Sequence, residues 1–234
     1  MPKENLVIIH GWRDSSNSYQ SVIELINQDF NVIRALDLPG FKTPLPRPYT
    51  FEDFIQFIEE NTKQLDNFYL LGHSFGGALA MLFAIKHPQK VKKLILYNPA
   101  IVRSTSKKIK VKILRTLARI VKKVEKIFPQ KIALFIKKII YRFIVRSYDY
   151  FNVDDNLKKT MKNIYQDLSE KAKEVSVPTI MLWGVYDKIT PLKEGKLLQQ
   201  LIKNSQLIVF EGGHSYHKKD PEKFAKILKE ALNI

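Results

Sequence analysis

The stretch Phe68-Tyr69-Leu70-Leu71-Gly72-His73-Ser74-Phe75-Gly76-Gly77-Ala78-Leu79-Ala80-Met81 decides the reading of this chain. An apolar run ends in Gly-x-Ser-x-Gly and passes directly into helix-forming residues, the pattern of a strand, a sharp turn and a helix. A serine on so tight a turn strains its backbone, and side chains at Gly72 or Gly76 would collide with the adjoining strand and helix. The turn presents the Ser74 hydroxyl at the edge of a sheet.

Five further apolar runs flank this one: Leu6–His10, Val32–Leu36, Leu94–Asn98, Thr179–Gly184 and Leu207–Glu211. Most are rich in Ile, Leu and Val, as strands covered on both faces are. Between them lie segments with helical apolar spacing, Tyr19–Gln28, Phe51–Gln64, Ala78–Lys86 and Lys193–Ile202, with Phe224–Leu232 at the end. The alternation predicts an α/β fold, a mostly parallel sheet of about six strands with helices on both faces. In such sheets ligands bind at the carboxyl ends of the strands.

The alternation stops between Pro99 and Val177. Residues 101–174 read as an inserted helical cap, or lid, on a core made of residues 1–100 and 175–234. Three cap helices are expected. The first, about Lys107 to Phe128, has Ile109, Ile113, Leu114, Leu117, Ile120, Val121 and Val124 on one face. The second runs from about Gln130 to Ser147 beyond Pro129, and the third roughly from Asp154 to Glu174. Residues 1–100 balance ten basic against ten acidic side chains, whereas residues 101–150 carry fifteen against two, so the +16 net charge is concentrated in the cap.

A serine hydroxyl needs a base, and the base needs an acid to hold its tautomer and stabilise its charged form. Thr179–Gly184 delivers Asp187 just past a strand end, and Leu207–Glu211 is followed by Gly212-Gly213-His214. The order Ser74, Asp187, His214 differs from those of the chymotrypsin and subtilisin types. Asn98, after the fourth run, is an amide and cannot serve as the acid. His10 suits a structural role in its turn, His73 a packing role, and His217 lacks the two glycines that precede His214.

With these residues in place, the chain resembles the α/β-hydrolase superfamily, in particular small capped serine esterases and lipases. His10-Gly11-Trp12, Asp37-Leu38-Pro39-Gly40 and Gly213-His214 also look like turns of that family. The resemblance implies that the backbone N–H groups of Trp12 and Phe75 form an oxyanion hole, with both residues also contacting substrate. It implies hydrolysis of carboxylic esters through an acyl-enzyme on Ser74. A serine at this position disfavours the haloalkane dehalogenases, which carry an aspartate there. With the first strand read almost from Met1, the amino-terminal hairpin of larger members is expected to be missing and the sheet trimmed to about six strands.

Composition narrows the alternatives. With 45% hydrophobic and 26% charged residues, disordered and low-complexity classes are excluded, and with no cysteine so are disulfide scaffolds and Cys nucleophiles. No His-x-x-x-His pair or phosphate loop occurs, so neither metal nor cofactor is expected. No secretion signal is read at the start, and lysines and an arginine interrupt Ile132–Val145, the best candidate span. The expectation is a cytoplasmic protein acting on a small-molecule ester, with no specific nucleic acid partner. The basic cap admits three readings: a solvated surface, peripheral contact with an anionic membrane, or docking of an acidic carrier protein or polyanion. Pimeloyl-carrier-protein methyl esterases, small hydrolases with basic caps, resemble the chain in type. A non-catalytic binding protein on the same fold is the remaining alternative.

Overall fold

A computed structural model describes residues 3–103 and 154–234. Six strands form one sheet: β1 (Asn5–Ile9), β2 (Val32–Leu36), β3 (Phe68–His73), β4 (Val91–Tyr97), β5 (Thr179–Gly184) and β6 (Ser205–Phe210). Their order is β2-β1-β3-β4-β5-β6, and every pairing is parallel. All six apolar runs are therefore strands, within a few residues at each end, and the sheet is wholly parallel.

Alternation along the strands sorts the core into two layers, because successive side chains leave opposite faces of the pleat. Val7, Ile9, Leu70, Leu94, Leu96, Met181 and Trp183 pack on one face with residues of α2 (Phe51–Thr62), α3 (Phe75–Lys86) and α5 (Leu192–Leu201). Leu6, Ile8, Tyr69, Leu71, Ile95, Tyr97 and Leu182 pack on the other with α1 (Gln20–Ile26) and α7 (Pro221–Leu232). Each fully buried Leu, Ile or Phe in these layers contributes about 1.5–3 kcal/mol. Central α3 is buried almost all round, as its unbroken Phe75-Gly-Gly-Ala-Leu-Ala-Met-Leu-Phe-Ala run requires. At the start of α2, Thr50 and Asp53 form a reciprocal capping box.

Most helix ends shift by one or two residues, α7 begins at Pro221 rather than Phe224 with Asp220 as its cap, and two further differences from the sequence reading have identifiable causes. Helix α3 begins at Phe75 rather than Ala78, because the turn at Ser74 leads into the first helical residue without a spacer. The helix expected over Asp154–Glu174 is divided. Asp154 caps α4 (Asp155–Ile164), the chain then leaves the helix, and a 3₁₀ turn covers Glu170–Glu174. The break has one local and one distant cause: Asp167 Oδ1 accepts the backbone N–H and hydroxyl of Ser169, while the Leu168 N–H donates to the Ile101 carbonyl. A further short helix, α6 (Tyr216–Lys219), follows the last strand.

The first two expected cap helices lie outside the described residues. The described ends of that segment pack on the core: Ile101, Val102, Ile164, Leu168 and Ala172 join one core layer, and the Arg103 guanidinium lies 4.7 Å from the Tyr165 ring centre. Helix α4 also holds the 45–49 loop, through bonds from Asn156 to the Leu45 carbonyl and from the Tyr49 N–H to Thr160 Oγ1. Among the described residues, no helix is long and apolar enough to cross a membrane.

Candidate active site

Ser74 occupies the turn between β3 and α3 with φ 54° and ψ −115°, a conformation that L-residues adopt only under constraint. The neighbouring glycines make the turn feasible. A Cβ on Gly72 would stand 2.6 Å from the Ala80 Cβ, and one on Gly76 would overlap the carbonyls of Ile9 and His10. Substituting either would push α3 off the sheet.

The structure brings Ser74, Asp187 and His214 together from the carboxyl ends of β3, β5 and β6. His214 Nε2 lies 2.9 Å from Ser74 Oγ, and its Nδ1 lies 2.6 Å from Asp187 Oδ2. The carboxylate can only accept, so Nδ1 carries the proton and Nε2 is free to accept from the serine hydroxyl. Asp187 is held by its own turn: Oδ1 accepts from the N–H groups of Ile189 and Thr190, and Oδ2 accepts from the Thr190 hydroxyl. Burial pushes its pKa up, but the hydrogen bonds and charge of His214 and the bonds from Thr190 outweigh that and keep the carboxyl below its usual range.

Trp12 and Phe75 meet beside this group, with ring centres 5.4 Å apart in an edge-to-face arrangement. A Cβ on Gly11 would stand 3.3 Å from the Ser74 Cβ, so the turn ahead of Trp12 abuts the serine. Phe75 opens α3, and its amide is one of those a helix leaves without an intrahelical acceptor. Phe41 packs edge-on to Trp12 at 5.0 Å, extending an aromatic wall.

The other histidines do not reach Ser74 Oγ. His10 Nδ1 donates to the Gly11 carbonyl and its Nε2 accepts from the Leu38 N–H, which ties the β1 and β2 turns together. His73 stacks on Tyr97, and its Nε2 donates to the His214 carbonyl at 2.8 Å. His217 stacks on Tyr19 at 4.3 Å. Ligand atoms of Asp14, His73 and His217 lie within 4.8 Å of one another, a grouping that sequence spacing hides because the three come from separate turns. Asp14 Oδ1 is engaged there by the Lys218 ammonium and the Ser15 N–H.

Burial lowers the pKa of His217 to about 3 and that of His73 well below the ordinary value. Both bind a proton more readily when unfolded, so below pH about 6.5 each is expected to destabilise the fold by about 1.4 kcal/mol per pH unit. For His217 this slope extends down to about pH 3. Urea unfolding at pH 7 and pH 5 measures the loss, and His217→Gln should diminish it. An unchanged slope in that variant would refute the assignment.

Sequence reasoning missed two residues that shape the site. Thr190 has a local signal, since Asp-Lys-Ile-Thr is an Asx-turn pattern in which the aspartate accepts from the following amides. Asn98 has none, because its partners lie far along the chain.

Comparison with known proteins agrees with this architecture. A proline iminopeptidase of Saccharolobus solfataricus is 25% identical, covering 98% of this chain and 84% of its own. A pimeloyl-[acyl-carrier protein] methyl ester esterase of Wigglesworthia glossinidia brevipalpis is 26% identical, covering 96% and 92%. The crystal structure of a hydrolase from Pseudomonas aeruginosa PA01 superposes with a TM-score of 0.73 at 19% identity, covering 99% of this chain and 91% of that one. The sheet is that of an α/β-hydrolase, and its relatives include both esterases and a peptidase. The serine aminopeptidase S33 family matches residues 1–221, and the chain belongs to it.

Proposed function

We propose that the protein is a serine hydrolase that cleaves carboxylic esters through an acyl-enzyme on Ser74. The observation that carries this reading is the continuous hydrogen-bonded relay from Ser74 Oγ through His214 to Asp187. As Ser74 Oγ attacks the ester carbonyl carbon, its proton passes to His214 Nε2, and the N–H groups of Trp12 and Phe75 stabilise the oxyanion. Collapse breaks the bond to the alcohol oxygen, which takes the proton from His214. A water then attacks the acyl-serine, giving its proton to His214, and the carboxylic acid leaves with Ser74 restored. Asp187 holds the imidazole and offsets its transient positive charge.

Esters are favoured over amides because an alkoxide leaves more easily than an amine. The surroundings support the same choice. Both Asp187 oxygens are already engaged, and the rings next to Ser74 are the apolar Trp12 and Phe75, with Phe41 packed behind Trp12, which suit an acyl chain better than a cationic α-amine. A carrier-linked ester is a second reading, favoured by the pimeloyl esterase relative and by the fifteen basic residues in 101–150, which would attract an acidic partner.

The test is hydrolysis of p-nitrophenyl esters from acetate to palmitate, beside proline p-nitroanilide and a methyl ester carried on an acyl carrier protein. Ester turnover that exceeds anilide turnover supports the proposal, and the chain-length optimum sizes the acyl site. Preference for the anilide would overturn it in favour of a peptidase. Turnover of the carrier-bound ester alone would select the second reading.

A further inference from the structure

We propose that Asn98 is a positioning residue of this site, the side chain that fixes the loop carrying His214 relative to the loop carrying Asp187. The proposal rests on the serine-hydrolase reading above for its catalytic consequence, though not for its geometry. Asn98 follows β4 between the two loops and is fully buried. Its φ of 43° is tolerated by asparagine, which by itself would make it an ordinary turn residue.

Its amide is spent elsewhere. Oδ1 accepts from the Gly184 N–H at 2.9 Å, at the end of β5 and three residues before Asp187. Nδ2 donates to the Gly213 carbonyl at 3.2 Å and to the His214 carbonyl at 2.9 Å. One N–H on one side and two carbonyls on the other permit a single orientation of the amide, since the flipped form would face oxygen with oxygen.

The main chain of Asn98 continues the link. Its N–H donates to the Leu182 carbonyl, and its carbonyl lies 3.1 Å from the Thr190 hydroxyl that donates to Asp187 Oδ2. The His214 carbonyl also accepts from His73 Nε2, so the backbone of the base is gripped from two sides. His214 reaches its loop from the carboxyl end of β6, after two glycines. Bonds from the Tyr186 N–H to the Gly212 carbonyl and from the Tyr216 N–H to the Tyr97 hydroxyl hold the loop on either side, while the Asn98 amide, with His73, holds the backbone of His214 itself.

The test uses two variants of the whole chain. Asn98→Asp is nearly isosteric and keeps the acceptor for the Gly184 N–H, but it turns an oxygen toward the Gly213 and His214 carbonyls. Asn98→Ala removes both links. Each is expected to lower kcat on a p-nitrophenyl ester by about 10²-fold with KM within about twofold, the signature of a misplaced group rather than a lost binding contact. A downfield NMR signal from the His214 Nδ1 proton is expected in the wild type, given its 2.6 Å contact with Asp187, and should move or vanish in both. Variants that melt earlier yet keep wild-type kcat per folded molecule and an unmoved imidazole signal would overturn the proposal and leave Asn98 a purely structural residue. If the wild type cleaves no ester, the hydrolase reading fails on its own. The imidazole signal still decides Asn98: its loss in the variants sustains the positioning role, and its persistence refutes it.

Discussion

Replacing Ser74 by alanine is expected to lower kcat on p-nitrophenyl esters by about 10⁶-fold, with KM and melting temperature near those of the wild type. The substitution removes one oxygen whose described partner is His214 Nε2, and it leaves the turn glycines and the packing of α3 unchanged. Alanine meets the same constraint as serine at φ 54°, so the turn should persist. The residual rate should remain about 10³–10⁴-fold above that in water, supplied by the oxyanion donors and by binding. Intact mass after treatment with a fluorophosphonate provides an independent check, with one adduct in the wild type and none in the variant. Retained turnover in folded protein would mean that another group attacks the ester.

Asp187→Asn should fold and yet lose about 10⁴-fold in kcat. An amide can accept from the Ile189 and Thr190 N–H groups as the carboxylate does, so the turn survives. Toward His214 it can present an NH₂ group, which favours the tautomer with the proton on Nε2, the wrong nitrogen to receive one from Ser74. Below-normal titration of Asp187 means that the wild-type carboxylate stays ionised through the mildly acidic range. Loss of wild-type activity on acidification should therefore not be ascribed to this group at pH values above the ordinary carboxylate range. Turnover close to wild type in Asp187→Asn, measured beside an unchanged circular dichroism spectrum, would point to a different acid.

Much of this arrangement is legible in the sequence for a definite reason. Strands buried on both faces must be continuous apolar runs, and in a parallel sheet all of them end on the same edge. Ser74, Asp187 and His214 each follow such a run, so a one-dimensional pattern already places them in one neighbourhood. The glycines flanking Ser74 are equally visible, because close backbone approach leaves few residue choices. Asn98 is hidden by contrast, and so are the contacts of the Thr190 hydroxyl, although the turn that carries Thr190 is visible as an Asx pattern. Their value lies in hydrogen bonds to loops 86 to 116 residues away, or in a hydroxyl shared among three partners, and no local period records such contacts. The division of Asp154–Glu174 is hidden in part for a similar reason, since Ile101, far back along the chain, competes for the Leu168 amide.

Assembly order follows from the distance in sequence between the reacting groups. Ser74 and His214 are separated by 140 residues, and β5, which is followed by Asp187, must pair with β4 across all the residues between Tyr97 and Thr179. Contacts of this range form late, since the chain loses loop entropy before it gains from them. The turn at Ser74 can form locally, but its reactivity has to wait until β5 and β6 have docked. Acquisition of phosphonylation during refolding would therefore time the closure of the last two strands, reporting the final cooperative step rather than the first collapse.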